Sequence, residues 1–168
     1  MNYANRVKSA MVAALALASV LAFAPTSASA LTATATIAVS TTVTNSCTIS
    51  ATGLAFPAYT GAVDAGTATL TVNCTNLASY IVALDKGTGT GASVTTRQMT
   101  NAGNLLAYSL YKDSGHSSIW GDGTGSTVTV AGTGTGSNQS LTVYGQIPAS
   151  ETSTSGTYTD TVTATITY

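Results

Sequence analysis

The chain has 168 residues, of which five are Lys or Arg, six are Asp or Glu and one is His. At 44% hydrophobic and 7% charged it is neither a disordered polyelectrolyte nor a nucleic-acid binder, which needs a basic stripe to neutralise phosphates. Thr is the commonest residue, Gly marks turns and Lys, Glu, Gln and Arg are scarce, which is the composition of an all-β protein.

Residues 1–9 carry Arg6 and Lys8 and no acid, and residues 10–23 are apolar apart from Ser19. The small-residue triplet Ala28-Ser29-Ala30 follows. A basic start, a short apolar run and an A-x-A end make a secretory signal peptide, expected over residues 1–30 with cleavage between Ala30 and Leu31. The run is shorter than the roughly 20 residues that span a membrane. Without Arg6 and Lys8 the chain keeps three basic and six acidic residues, and 3 − 6 gives a net charge of −3. The remaining length suits one domain with a core of its own.

Residues 31–39 read L-T-A-T-A-T-I-A-V, with apolar Leu31, Ala33, Ala35, Ile37 and Val39 alternating at the strand period of two. The same phase runs on through Val43, Cys47 and Ile49. Six main strands are expected after it, over about 42–50, 67–75, 79–85, 105–111, 139–147 and 157–167, with a short one at 127–130. Polar or Gly-rich turns separate them, at Asp85-Lys86-Gly87, at 112–118, at Trp120-Gly121-Asp122-Gly123-Thr124, and in the loops 87–93 and 132–136. Short strands at this spacing point to a β-sandwich. A seven-stranded immunoglobulin-like sandwich would want one more strand beside the last. The expectation is therefore an incomplete sandwich with an unpaired edge and an uncovered groove, ordinarily a liability, and with a spare strand-forming segment ahead of it.

Catalytic and metal chemistry finds no foothold. Cys47 and Cys74 belong to no C-x-x-C pair and cannot by themselves close a zinc site; in an exported chain one disulfide between them is the economical reading, worth roughly 3–4 kcal/mol in the chain-entropy model. His116 is expected on a solvated turn, and no G-x-S-x-G elbow accompanies it. The G-T-G-T-G stretches lack the Lys-Ser/Thr of a phosphate loop, and Asp122 alone does not make a calcium loop. The tyrosines are spread over four of the six main expected strands, consistent with core and cross-strand packing. No enzyme activity, cofactor or metal is expected.

Several motifs occur in order: Asn45-Ser46-Cys47-Thr48-Ile49, Val72-Asn73-Cys74, residues 105–111 (L-L-A-Y-S-L-Y), residues 120–124 (W-G-D-G-T), residues 144–149 (Y-G-Q-I-P-A) and residues 156–162 (G-T-Y-T-D-T-V). Together they resemble the spore coat protein U domain family, which includes subunits of Csu-type (archaic) chaperone–usher pili. The resemblance covers residues 41–168, with one departure at Phe56-Pro57, where the family pattern has Phe-Gly. It implies an incomplete immunoglobulin-like domain completed by a strand from another chain. The implied partners are a periplasmic pilus chaperone, an outer-membrane usher and neighbouring pilin subunits of a homopolymer. By position, Leu31, Ala33, Ala35, Ile37 and Val39 would face inward on the donor strand, within a segment spanning 31–40. The implied function is a structural subunit of an adhesive, biofilm-forming filament at the cell surface. About 138 mature residues favour a single-domain shaft pilin over a two-domain tip adhesin. A secreted monomeric glycan-binding module and a coat or matrix protein are the alternatives.

Overall fold

The computed structural model describes residues 29–168, so most of the expected signal peptide lies outside the described residues. The chain divides into two units, residues 1–40 and 41–168. In the first, residues 29–40 form no helix or strand and all are exposed.

The second unit is an all-β sandwich with eight strands among the described residues. They are β1 (Cys47–Ala51), β2 (Asp64–Cys74), β3 (Ser79–Leu84), β4 (Arg97–Asn101), β5 (Asn104–Tyr111), β6 (Val130–Thr133), β7 (Asn138–Ile147) and β8 (Ala164–Thr167). The larger sheet has the order β1-β2-β7-β5-β4 and the smaller the order β6-β3-β8. Every ladder is antiparallel. In β2 the alternation that marks a half-buried strand turns Leu70, Val72 and Cys74 inward. Leu106, Tyr108 and Leu110 of β5 and Val143 and Ile147 of β7 do the same. Val82 and Leu84 of β3 close the core from the other sheet, with Trp120 between, its Nε1–H donating to the Val82 carbonyl at 3.0 Å.

The strand bounds differ from the sequence expectation in four places. β1 begins at Cys47, because residues 41–46 have no partner strand. β4 was not expected. Its first residue, the cation Arg97, is wholly buried, which hides the usual alternation. Its hairpin to β5 turns on Ala102 and Gly103, both at positive φ (48° and 88°), the geometry normally signalled by Asn-Gly. β6 lies at Val130–Thr133 and not at 127–130, taking in Gly132, on which the Tyr80 ring rests. The last strand spans only Ala164–Thr167. Residues 157–163 run irregularly, bridging to β4 at Thr159↔Thr100 before the chain joins β3.

Candidate functional site

β8 is hydrogen-bonded to β3 on one side and, among the described residues, to no strand on the other. β1 is likewise an edge, paired only with β2. Between these edges an open groove of about 420 Å³ reaches the core. Ala68, Leu70, Leu110 and Val143 form its floor, Tyr158, Val162 and Ala164 one wall, and Leu54 and Phe56 the other. The groove is thus apolar and bounded by an unpaired strand edge.

The wall at Leu54 and Phe56 follows from the register of the sheet. Gly66 and Gly145 face each other across β2 and β7. A Cβ on Gly66 would lie 2.6 Å from the Ala55 carbonyl oxygen, and one on Gly145 2.8 Å from Phe56 Cζ. Glycine here lets another backbone approach the sheet closely. The segment after β1 therefore lies down on the inner face, with Phe56 meeting Tyr108 edge-on at 6.1 Å between ring centroids. Tyr59 pins its far end: its hydroxyl donates to the Pro148 carbonyl at 2.7 Å and accepts from Glu151 N–H at 2.9 Å.

The opposite wall is fixed by polar contacts. Asp160 Oδ2 accepts from the Tyr108 hydroxyl at 2.7 Å. Its Oδ1 accepts from Thr88 N–H and Oγ1–H at 2.8 and 2.9 Å, and from Thr161 N–H at 2.7 Å. Burial alone would raise its pKa, but the hydrogen bonds from Tyr108, Thr88 and Thr161 outweigh it and hold Asp160 below the ordinary carboxylate range. Burial, and then the hydrogen bond to Asp160, push the Tyr108 hydroxyl well above its usual value. Beneath them Arg97 spans the layers. Its Nε–H donates to the Asp85 carbonyl at 2.8 Å and Nη2 to that of Trp120 at 2.9 Å. Burial opposes its charge, yet the guanidinium keeps its proton. These groups brace backbone, and Arg97 Nη1 is left without a hydrogen-bond partner.

Cys47 and Cys74 sit directly opposite on β1 and β2 and form a disulfide, Cα–Cα 4.1 Å. The expected inward-facing residues of the 31–40 segment are all exposed, Leu31 at 100%, Ile37 at 86% and Val39 at 90%, and Ala33 and Ala35 with them. Ala30 and Leu31 lie at the start of the described stretch, in no strand. His116 corrects an expectation. It sits on the expected turn, its N–H donating to the Asp113 carbonyl at 3.1 Å, but it is half-buried and packs edge-on against Tyr111 at 5.0 Å and Tyr144 at 6.5 Å between ring centroids. The Asp113 carboxylate shapes its loop by accepting from Ser117 and Ser118. Sequence reasoning missed the roles of Arg97 and the Gly66–Gly145 pair, and named Asp160 and Gly145 only within the motifs of residues 156–162 and 144–149; the departure at Phe56-Pro57 also drew attention near this wall. Among the described residues no group of His, Cys, Asp or Glu is placed to hold a metal, and no helix is long and apolar enough to cross a membrane.

Comparison with known proteins adds three findings. The Spore Coat Protein U domain matches residues 33–165. Protein U of Myxococcus xanthus is 37% identical over 109 residues, a match covering 61% of this chain and 60% of that protein. The chain thus spans about three fifths of the length of that relative. Among solved structures, a chaperone–tip adhesion subunit pre-assembly complex from archaic chaperone–usher Csu pili of Acinetobacter baumannii matches with a TM-score of 0.56. The identity is 22%, over 76% of this chain and 41% of that chain, a likeness of fold.

Proposed function

The chain belongs to the Spore Coat Protein U domain family, and from that premise we propose that it is a structural subunit of a chaperone–usher surface filament, assembled by donor-strand exchange. The observation that carries the reading is the unpaired β8 edge above an apolar groove. An exposed segment whose apolar residues alternate at the strand period complements it. In this reading residues 31–40 of one copy add beside β8 of the next. Main-chain hydrogen bonds run along the edge, and Leu31, Ala33, Ala35, Ile37 and Val39 turn into the groove. Such a head-to-tail contact does not close on itself and propagates as a filament. Before assembly a periplasmic chaperone covers the groove and an outer-membrane usher receives the subunit, and the filament stands on the cell surface in adhesion and biofilm formation. The fold likeness to a subunit solved with its chaperone supports the same partner class here. Cleavage between Ala30 and Leu31 frees the segment for exchange.

The test is a paired measurement on Ile37→Arg and on a deletion of residues 31–39. Both variants are expected to co-purify with the cognate chaperone, because the groove is untouched, and to give no filaments or detergent-resistant ladders on unboiled gels. An unpaired charge placed in an apolar groove is too costly to insert. Normal ladders from the deletion would refute the reading. Loss of chaperone binding together with filaments would place the segment in its own fold instead.

A further inference from the structure

Residues 53–57 alternate in burial: Leu54 and Phe56 are half-buried, while Gly53, Ala55 and Pro57 are exposed. Both buried side chains line the groove. They are not free to swing away, because Ala55 and Phe56 rest on the Gly66–Gly145 pair and Tyr59 is pinned to Pro148 and Glu151. Two large side chains, two residues apart, therefore project into the groove from one wall and form, by their size, a constriction there. The segment 31–39 has the converse profile. Its large apolar residues are Leu31 at one end and Ile37 and Val39 at the other, and between them stand two small ones, Ala33 and Ala35, also two residues apart. Extended segments lying side by side share one repeat, about 6.6–6.8 Å per two residues. A constriction of period two can therefore meet side chains of period two over both positions.

We infer that Leu54 and Phe56 set the register of the incoming segment by size, admitting Ala33 and Ala35 of a neighbouring copy at the constriction and leaving the wider groove on either side to Leu31, Ile37 and Val39. This rests on the strand-accepting reading of the groove. A slip by two residues along the same face would drive Leu31 or Ile37 against Leu54 or Phe56. A segment with a large residue at either alanine position is refused. The pair thus distinguishes the subunit's own extension from other alternating apolar segments.

The experiment uses the full chain exported with its chaperone and usher and quantifies detergent-resistant ladders. Ala33→Leu and Ala35→Leu are each expected to lower the ladder about tenfold or more, the scale on which extra methylenes forced into a packed site are penalised. Leu54→Ala and Phe56→Ala are then combined with each bulky variant, and each bulky residue is restored by one trimmed wall residue and not by the other. Trimming also loosens the domain, so Leu54→Val and Phe56→Leu are run alongside, with yield of chaperone complex as the check of folding. Undiminished ladders from both bulky variants overturn the inference, as do absence of rescue in folded double variants and rescue by either trimmed wall without discrimination. Ladders lost on deletion of residues 31–39 but kept in both bulky variants overturn it alone. Ladders that survive the deletion overturn the strand-accepting reading itself.

Discussion

Replacing Gly66 by Ala sets two general effects against each other. Neither Gly66 nor Gly145 has a positive φ, so alanine can adopt the native backbone. Loss of chain entropy in the unfolded state would then stabilise the protein by about 0.4–1 kcal/mol. The new Cβ of Gly66→Ala, however, would lie 2.6 Å from the Ala55 carbonyl oxygen and 3.3 Å from its carbon. Both are backbone atoms, so no rotamer change relieves the clash, and the whole segment carrying Leu54 and Phe56 must shift. Overpacking of this kind costs about 1–3 kcal/mol, which leaves a net loss of about 1.3 kcal/mol at the midpoints, within about 0–2.6 kcal/mol. Gly145→Ala meets the side-chain ends of Phe56 and Leu54 at 2.8 and 2.9 Å, which can give, so its loss is smaller. Gly53→Ala meets nothing within 4 Å and is the control, expected to be neutral or slightly stabilising. Equilibrium urea unfolding followed by the fluorescence of Trp120, which is 1% exposed, reads all three. Gly66→Ala as stable as the parent, or indistinguishable from Gly53→Ala, would refute the close approach described here.

Two other perturbations separate the braces of the domain. Removing the Cys47–Cys74 disulfide by a double Ala substitution is expected to cost about 2–5 kcal/mol and to lower the yield of exported subunit; both thiols alkylating in the native protein without reductant would contradict the pairing. Asp160 gives a pH dependence. Its pKa is depressed in the fold, so its stabilising contribution is present above the unfolded value of about 3.9 and is lost as pH falls through the folded one. The urea midpoint of Asp160→Asn should therefore lie below that of the parent at pH 7 and converge on it below about pH 4; a gap independent of pH would rule out the ionised carboxylate as the cause.

How far the sequence discloses this molecule depends on whether a residue's neighbours are local. β2, β5 and β7 were readable because Leu70, Val72, Leu106, Leu110 and Val143 alternate along single strands. The disulfide was readable because two cysteines allow one pairing. β4 was not, since Arg97 occupies a core position and its hydrogen bonds go to the carbonyls of Leu84, Asp85 and Trp120, which are remote in sequence. The last strand shows clean alternation over 157–167 and yet pairs over four residues. β3 ends at Leu84, and beyond it Asp85 takes up the chain, its Oδ1 accepting Thr163 N–H at 2.9 Å and its own N–H donating to the Thr163 carbonyl at 3.0 Å. Alternation fixes which side faces inward, not how long the partner strand is. The wall at Leu54 and Phe56 was hidden for a similar reason, because it exists only where two glycines far apart in sequence become register partners.

The shortness of β8 also decides what would hold an incoming strand in the proposed exchange. Along Ala164–Thr167 half of the backbone groups point to each side, so the open edge offers about four hydrogen bonds, each worth about 0.5–1.5 kcal/mol net. Burying Leu31, Ile37 and Val39, all nearly fully exposed beforehand, is worth about 1.5–3 kcal/mol apiece. In the proposed exchange side-chain burial would therefore supply the larger share, and ordering of the segment would consume part of the total. An edge held mainly by hydrogen bonds would accept any extended chain, because every backbone carries the same groups. A groove held mainly by side chains selects on their size and charge. Its one carboxylate is already occupied: Asp160 accepts from Tyr108, Thr88 and Thr161. A cation carried in by a strand would have to strip those donors to find a partner, and the apolar floor of Leu70, Leu110 and Val143 offers it none.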